Sequence, residues 1–253
     1  MTAPALRPLS TGEVLDVAFS LYRRHFPVLA LIAIVSQSIG LVFSIYVTAG
    51  GGVLAMPVLF VVSMVLSTVC SAIGLGASTK VVAESYLGRT TTAAEALRWV
   101  LPSTGRLVAV TMMASLLAML GFILLIVPGL ILACGMAVSA SALVVEGLGS
   151  SAALTRSWEL TKGHRWRVFG VLAVAFVVIS IVSAATGFIT ALFGFAVTAD
   201  SITPLIVSTA VLAVLSMLTY PYIYCAVTVL YYDLRVRKEG FDLEVLESQL
   251  APA

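Results

Sequence analysis

Charged residues are scarce in this sequence. Asp, Glu, Lys and Arg make up 10% of its 253 residues, well below the roughly 25% of a soluble globular chain. Hydrophobic residues make up 60%, and the mean hydropathy is +1.11. These figures exclude a soluble enzyme, which needs a charged surface, and a disordered chain, which is poor in apolar residues. The 14 basic and 12 acidic residues nearly balance, so the basic excess that nucleic acid demands is missing. Cysteine is equally sparse: Cys70, Cys134 and Cys225, with no CxxC pair, exclude a disulfide scaffold and read as small apolar packing residues. With two His and no nucleophile elbow, P-loop or HExxH, the residues of the common cytoplasmic chemistries are lacking. No catalytic residue, metal or cofactor is expected, and the sequence reads as a non-enzyme.

What it has instead is long uncharged runs. A bilayer core of about 30 Å needs about 20 apolar residues at about 1.5 Å each. No charge falls between Arg24 and Lys80, and Gly50-Gly51-Gly52 divides this stretch into spans at 27–47 and 53–79. The uncharged run 107–145 is long enough for two spans turning at Val127-Pro128-Gly129. From 168 to 232 only Asp200 is charged, and Ala199-Asp200-Ser201 with Pro204 separates spans at 168–195 and 204–232. The fold class expected is all-α: a polytopic membrane protein of six transmembrane helices in three hairpins, forming one domain over 1–238 with a short cytoplasmic tail at 239–253.

All 14 Lys and Arg lie in the N-terminal segment, the second-to-third and fourth-to-fifth connections, and the tail. Basic residues near span ends stay cytoplasmic. The topology expected is therefore a multi-pass protein of the bacterial cytoplasmic (inner) membrane with both termini cytoplasmic. Trp99, Trp158 and Trp166 share those basic connections, as interfacial anchors do. No cleavable signal is expected, because Glu13, Asp16, Arg23 and Arg24 precede the first apolar run.

The basic connections carry helix signals of their own. Ser10-Thr11-Gly12-Glu13 and Thr92-Ala93-Ala94-Glu95 have the form of capping boxes, each followed by apolar residues at helical spacing, and a looser version begins near Ser151. Each predicts an amphipathic helix on the cytoplasmic membrane face ahead of a hairpin. Together they suggest three copies of one unit, at about 10–79, 92–146 and 151–232.

Four motifs in order resemble a known family. Arg7-Pro8-Leu9-Ser10-Thr11-Gly12-Glu13-Val14-Leu15-Asp16 opens the chain, followed by Ile126-Val127-Pro128-Gly129, by Glu146-Gly147-Leu148-Gly149 with Arg156-Ser157-Trp158, and by Tyr231-Tyr232-Asp233-Leu234-Arg235. The pattern is similar to the bacterial multi-pass family described as the membrane domain of glycerophosphoryl diester phosphodiesterase, or YciC-like. The resemblance implies a cytoplasmic-membrane protein fused in some relatives to a soluble phosphodiesterase barrel. That barrel, with its carboxylate-held metal and catalytic His, is absent from this chain.

Two sets of residues are candidates for contact with other molecules. Arg23, Arg24, Lys162, Arg165, Trp166 and Arg167 form a basic, aromatic surface suited to anionic lipid headgroups, each such charge contributing about 1 kcal/mol near anionic lipid. Gln37, Ser38, Tyr220 and Tyr224, the last two flanking Pro221, are candidates for a polar pocket inside the membrane. Glu146 is expected to pair with Arg156 or Arg235, and Asp233 with Arg235 or Arg237. The preferred reading is a non-catalytic protein that organises membrane lipids, or a membrane or cytoplasmic protein partner, at the cytoplasmic face; it predicts a tightly packed bundle without a cavity. The alternative is a transporter, channel or flippase-like component for a neutral or amphiphilic solute, which predicts a polar crevice.

Overall fold

The computed structural model describes residues 8–49, 57–86, 88–196 and 203–240, and every regular element among them is helical. In chain order these are α1 (Thr11–Arg24), α2 (Phe26–Ala49), α3 (Pro57–Tyr86), α4 (Ala93–Val100), α5 (Thr104–Leu124), α6 (Ile126–Met136), α7 (Ser139–Glu146), α8 (Ser150–Thr161), α9 (Arg165–Ala196) and α10 (Thr203–Glu239). A 3₁₀ turn at Leu101–Ser103 joins α4 to α5. Six stretches are long and apolar enough to cross a membrane: Phe26–Val47, Pro57–Tyr86, Ala93–Leu124, Ile126–Glu146, Arg165–Ala185 and Thr209–Glu239. The expected breaks at Gly50-Gly51-Gly52 and at Ala199-Asp200-Ser201, and the tail beyond Gly240, lie outside the described residues.

The break between the third and fourth spans differs from expectation. It falls at Leu125, whose backbone is extended at φ −168° and ψ 160°, and Pro128 lies inside the first turn of α6, where its missing N–H leaves no partner unsatisfied. Two glycines set the position. A Cβ on Gly129 would lie 2.4 Å from the Phe122 ring, and one on Gly121 would lie 2.8 Å from the Gly129 Cα, so α5 and α6 meet backbone to backbone only because both side chains are absent. The fourth span is itself interrupted between Met136 and Ser139, and the sixth extends to Glu239, past the expected end at 232.

Both capping boxes form. Ser10 Oγ accepts from Glu13 N at 3.2 Å while Glu13 Oε2 accepts from Ser10 N at 2.6 Å, and Thr92 and Glu95 repeat the exchange at 3.3 and 2.9 Å. The third short helix starts at Gly149 without a side-chain cap. Much of each apolar face is covered by protein: Val14, Ala18 and Leu21 of α1, Ala93, Ala96 and Val100 of α4, and Ala153, Leu154 and Leu160 of α8 are buried, whereas Phe19 of α1 and Trp99 of α4 stay exposed. The reason is the length of α3 and α10, whose basic ends give α4 and α1 surfaces to pack on.

Burial is uneven along the spans. The core lies at the basic end, where Tyr86, Leu107, Leu143, Leu160, Tyr231, Tyr232 and Leu234 are enclosed. Toward the opposite end, Val58, Ile123, Ile126, Phe176 and Ile181 are exposed, as suits side chains solvated by acyl chains rather than water. Helix α10 is the axis, packing against α1, α2, α3 and α9.

Candidate functional site

At the basic end the charged residues are tied to one another. Asp233, near the end of α10, is wholly buried; its Oδ2 accepts from Arg167 Nε at 2.7 Å and Arg237 Nε at 3.0 Å, and its Oδ1 from the Leu9 N–H at 2.8 Å. Both guanidiniums also donate to the Leu9 carbonyl, Arg237 at 2.6 Å. The segment before α1 is thus locked to α9 and α10. Beside it, Glu146 accepts from Arg156 Nε at 2.9 Å and from the Tyr231 hydroxyl at 2.5 Å. Arg156 continues to Glu239, which also accepts from Arg235 at 3.0 Å. Hydrogen bonding to Glu239 holds the Arg156 pKa above its ordinary range; burial opposes this, and the bond and charge of Glu146 add to it.

This geometry divides the proposed headgroup residues. Arg23, Arg24 and Lys162 are exposed, and Trp166 is 87% exposed. Arg167 instead serves Asp233, the partner that sequence spacing missed. The Arg165 guanidinium lies 4.1 Å from the centre of the Trp158 ring, and that ring rests on α6 at Gly135, where a Cβ would come within 2.4 Å of it. Trp158 is therefore a packing residue between α8 and α6. Glu146 ends α7, Asp233 lies within the last two turns of α10, and both are held in ion pairs.

The second set lies within the apolar zone. Gln37, Tyr220 and Tyr224 do come together: with Pro221 and Ser78 they close a small gap between α2, α3 and α10. Gln37 Nε2 donates to Ser71 Oγ at 3.4 Å. Ser38 does not join them. It points to the other side of α2, beside Ile39 and Val42, and its hydroxyl donates to Val35 O of its own helix at 3.2 Å.

Beside this gap two larger clefts open on the surface of the bundle. One, of about 370 Å³, runs between α2, α3 and α10 past Gln37, Ser44, Ser67 and Ser71. The other, of about 690 Å³, is bounded by α2, α3, α5 and Tyr224. Its polar lining is made of hydroxyls: Ser44 on α2, Ser63, Ser67, Thr68 and Ser71 on α3, and Thr111 and Ser115 on α5. Ser63, Ser67 and Ser71 recur every four residues and so share one helix face, a signal present in the sequence. That α2 and α5 would face this row was not readable from spacing.

A family model described as a domain of unknown function, DUF7847, matches residues 82–234, more than half of the chain. The chain belongs to this family. The matched segment contains the Arg167–Asp233 and Glu146–Arg156 pairs, Thr111, Ser115 and Tyr224, whereas α1, α2 and most of α3, with the serine row, lie before it. No curated protein and no solved structure matches the chain.

Proposed function

We propose that this chain is a non-catalytic, lipid-handling protein of the bacterial cytoplasmic membrane that admits a neutral or amphiphilic molecule into the cleft bounded by α2, α3 and α5, as a carrier or flippase-like component does. The observation that carries the reading is the hydroxyl-lined cleft of about 690 Å³. Its volume falls in the range of small-molecule sites, about 300–1,000 Å³. Polar side chains in a membrane span are costly unless they meet polar partners. Ser44 and Ser67 line the cleft with hydroxyls that form no hydrogen bond among the described residues, and such groups favour a polar guest.

In this reading both termini are cytoplasmic, and the short helices lie at the cytoplasmic interface, each ahead of a transmembrane hairpin. The resemblance to the glycerophosphoryl diester phosphodiesterase membrane-domain family, which places such a chain in the cytoplasmic membrane, agrees with it. The exposed Arg23, Arg24, Lys162 and Trp166 support a second role, holding anionic headgroups or a protein partner at the basic face.

Reconstitution tests the proposal. Proteoliposomes carrying a fluorescent amphiphile in the inner leaflet should expose it to an external quencher faster than protein-free vesicles do. Exchange no faster than with an unrelated six-helix protein would refute uptake and leave only the role at the cytoplasmic face.

A further inference from the structure

The hydrogen bonds of the cleft define the kind of headgroup it suits. Ser63 donates to Phe60 O at 3.0 Å, Thr111 to Leu107 O at 2.9 Å and Ser115 to Thr111 O at 2.8 Å. Each of these hydroxyls has used its proton within its own helix and keeps its lone pairs for a guest. The hydroxyls of Ser44, Ser67 and Tyr224 form no hydrogen bond among the described residues, so they supply donors as well. The cleft thus offers free donors and free acceptors side by side.

Among the described residues no Lys, Arg, His, Asp or Glu lines either cleft. A phosphate has only acceptors at neutral pH and, once removed from water, needs a cation or several strong donors. A sugar or glycerol hydroxyl needs one donor and one acceptor at each position and carries no charge to desolvate. Phe60, Met64, Met112 and Leu116 complete the wall of the larger cleft, giving an attached acyl chain an apolar path.

Resting on the cleft reading above, we propose that the site selects an amphiphile with an uncharged, hydroxyl-bearing headgroup, such as the sugar of a glycosyl diacylglycerol, over one with a phosphate headgroup.

The test is native mass spectrometry of the purified full-length protein in mild detergent, with equimolar glucosyl diacylglycerol and phosphatidylglycerol of the same chain length. The wild type should retain the glycolipid about tenfold more than the phospholipid, a difference that one or two hydrogen bonds supply. Tyr224→Phe and Ser67→Ala should each lower glycolipid retention about threefold to tenfold and leave phospholipid retention unchanged, while Ser38→Ala, on the other side of α2, changes neither. Thr111→Val replaces either variant if its melting temperature shows that it fails to fold. Equal retention of both lipids, lost together in the variants, overturns the headgroup inference and leaves the cleft reading standing. Retention of neither lipid, or retention indifferent to every cleft variant, overturns both.

Discussion

The Nε of Arg167, at the start of α9, donates to Oδ2 of Asp233, near the end of α10, at 2.7 Å. With Arg237 and the Leu9 peptide it forms a closed set of bonds that fixes three segments at the basic end. Removing one partner of a buried charge pair leaves the other desolvated, at a cost of about 3–5 kcal/mol. Asp233→Asn should therefore lower the melting temperature in detergent sharply. Arg89→Gln, which removes an exposed partner 3.7 Å from Glu84, should cost less than about 1 kcal/mol. Equal shifts for the two variants would show that the buried set does not hold the fold.

Gly135 leaves the space that the Trp158 ring fills. Its Cβ would come within 2.4 Å of that ring, and the adjacent Ser157 hydroxyl donates to Gly135 O at 2.7 Å, so the ring cannot withdraw freely. Gly135→Ala should destabilise by about 1–3 kcal/mol through overpacking, measured by thermal unfolding. Pairing it with Trp158→Phe should recover part of the loss.

His25 packs between α1 and α2 with its ring 2.6 Å from the Ser85 hydroxyl. Burial, followed by the neighbouring Arg24 charge, lowers its pKa from the ordinary 6.5. The unfolded chain therefore takes up the proton first. Stability from this group is complete above about pH 6.5 and declines as the pH falls through the lower folded value. His25→Gln should flatten the change in melting temperature between about pH 7 and 5; an unaltered slope would assign the pH dependence to other groups.

The proposed orientation is open to chemical labelling because all three native cysteines are buried. In intact cells a membrane-impermeant maleimide should label Ile126→Cys, at the tip between the third and fourth spans, and should reach Arg89→Cys only after permeabilisation. The opposite pattern would invert the topology.

Much of the fold was legible because a bilayer demands about 20 uncharged residues for each crossing, and the six stretches appear where the charges stop. The capping boxes at Ser10 and Thr92 were legible for a similar reason: each is a local exchange over three residues. What sequence spacing missed was tertiary. Of the nearer partners expected for Asp233, Arg237 does pair with it, but Arg167, 66 residues away, could not be read from spacing. The turn at Leu125 is set by the approach of Gly121 to Gly129, which the Pro-Gly signal placed two residues too late. The cleft was half visible. Gln37, Tyr220 and Tyr224 stand out as polar or aromatic residues in apolar runs, whereas the serines of α3 gain their meaning only from the space that α2 and α5 leave beside them. Ser38 was grouped with Gln37 by adjacency, but successive residues of a helix point about 100° apart.

The account turns on whether a polar headgroup enters the cleft between α2, α3 and α5. The most direct measurement uses a lipid with a photoactivatable diazirine on its headgroup, activated in membranes containing the full-length protein, with the labelled peptides mapped by mass spectrometry. In a bilayer such a headgroup sits at the interface and reaches only helix ends. The account predicts labelling within residues 63–71 of α3 and 111–116 of α5, reduced by competing unlabelled glycolipid. Labelling confined to the interfacial ends, with none in those two stretches, would contradict it.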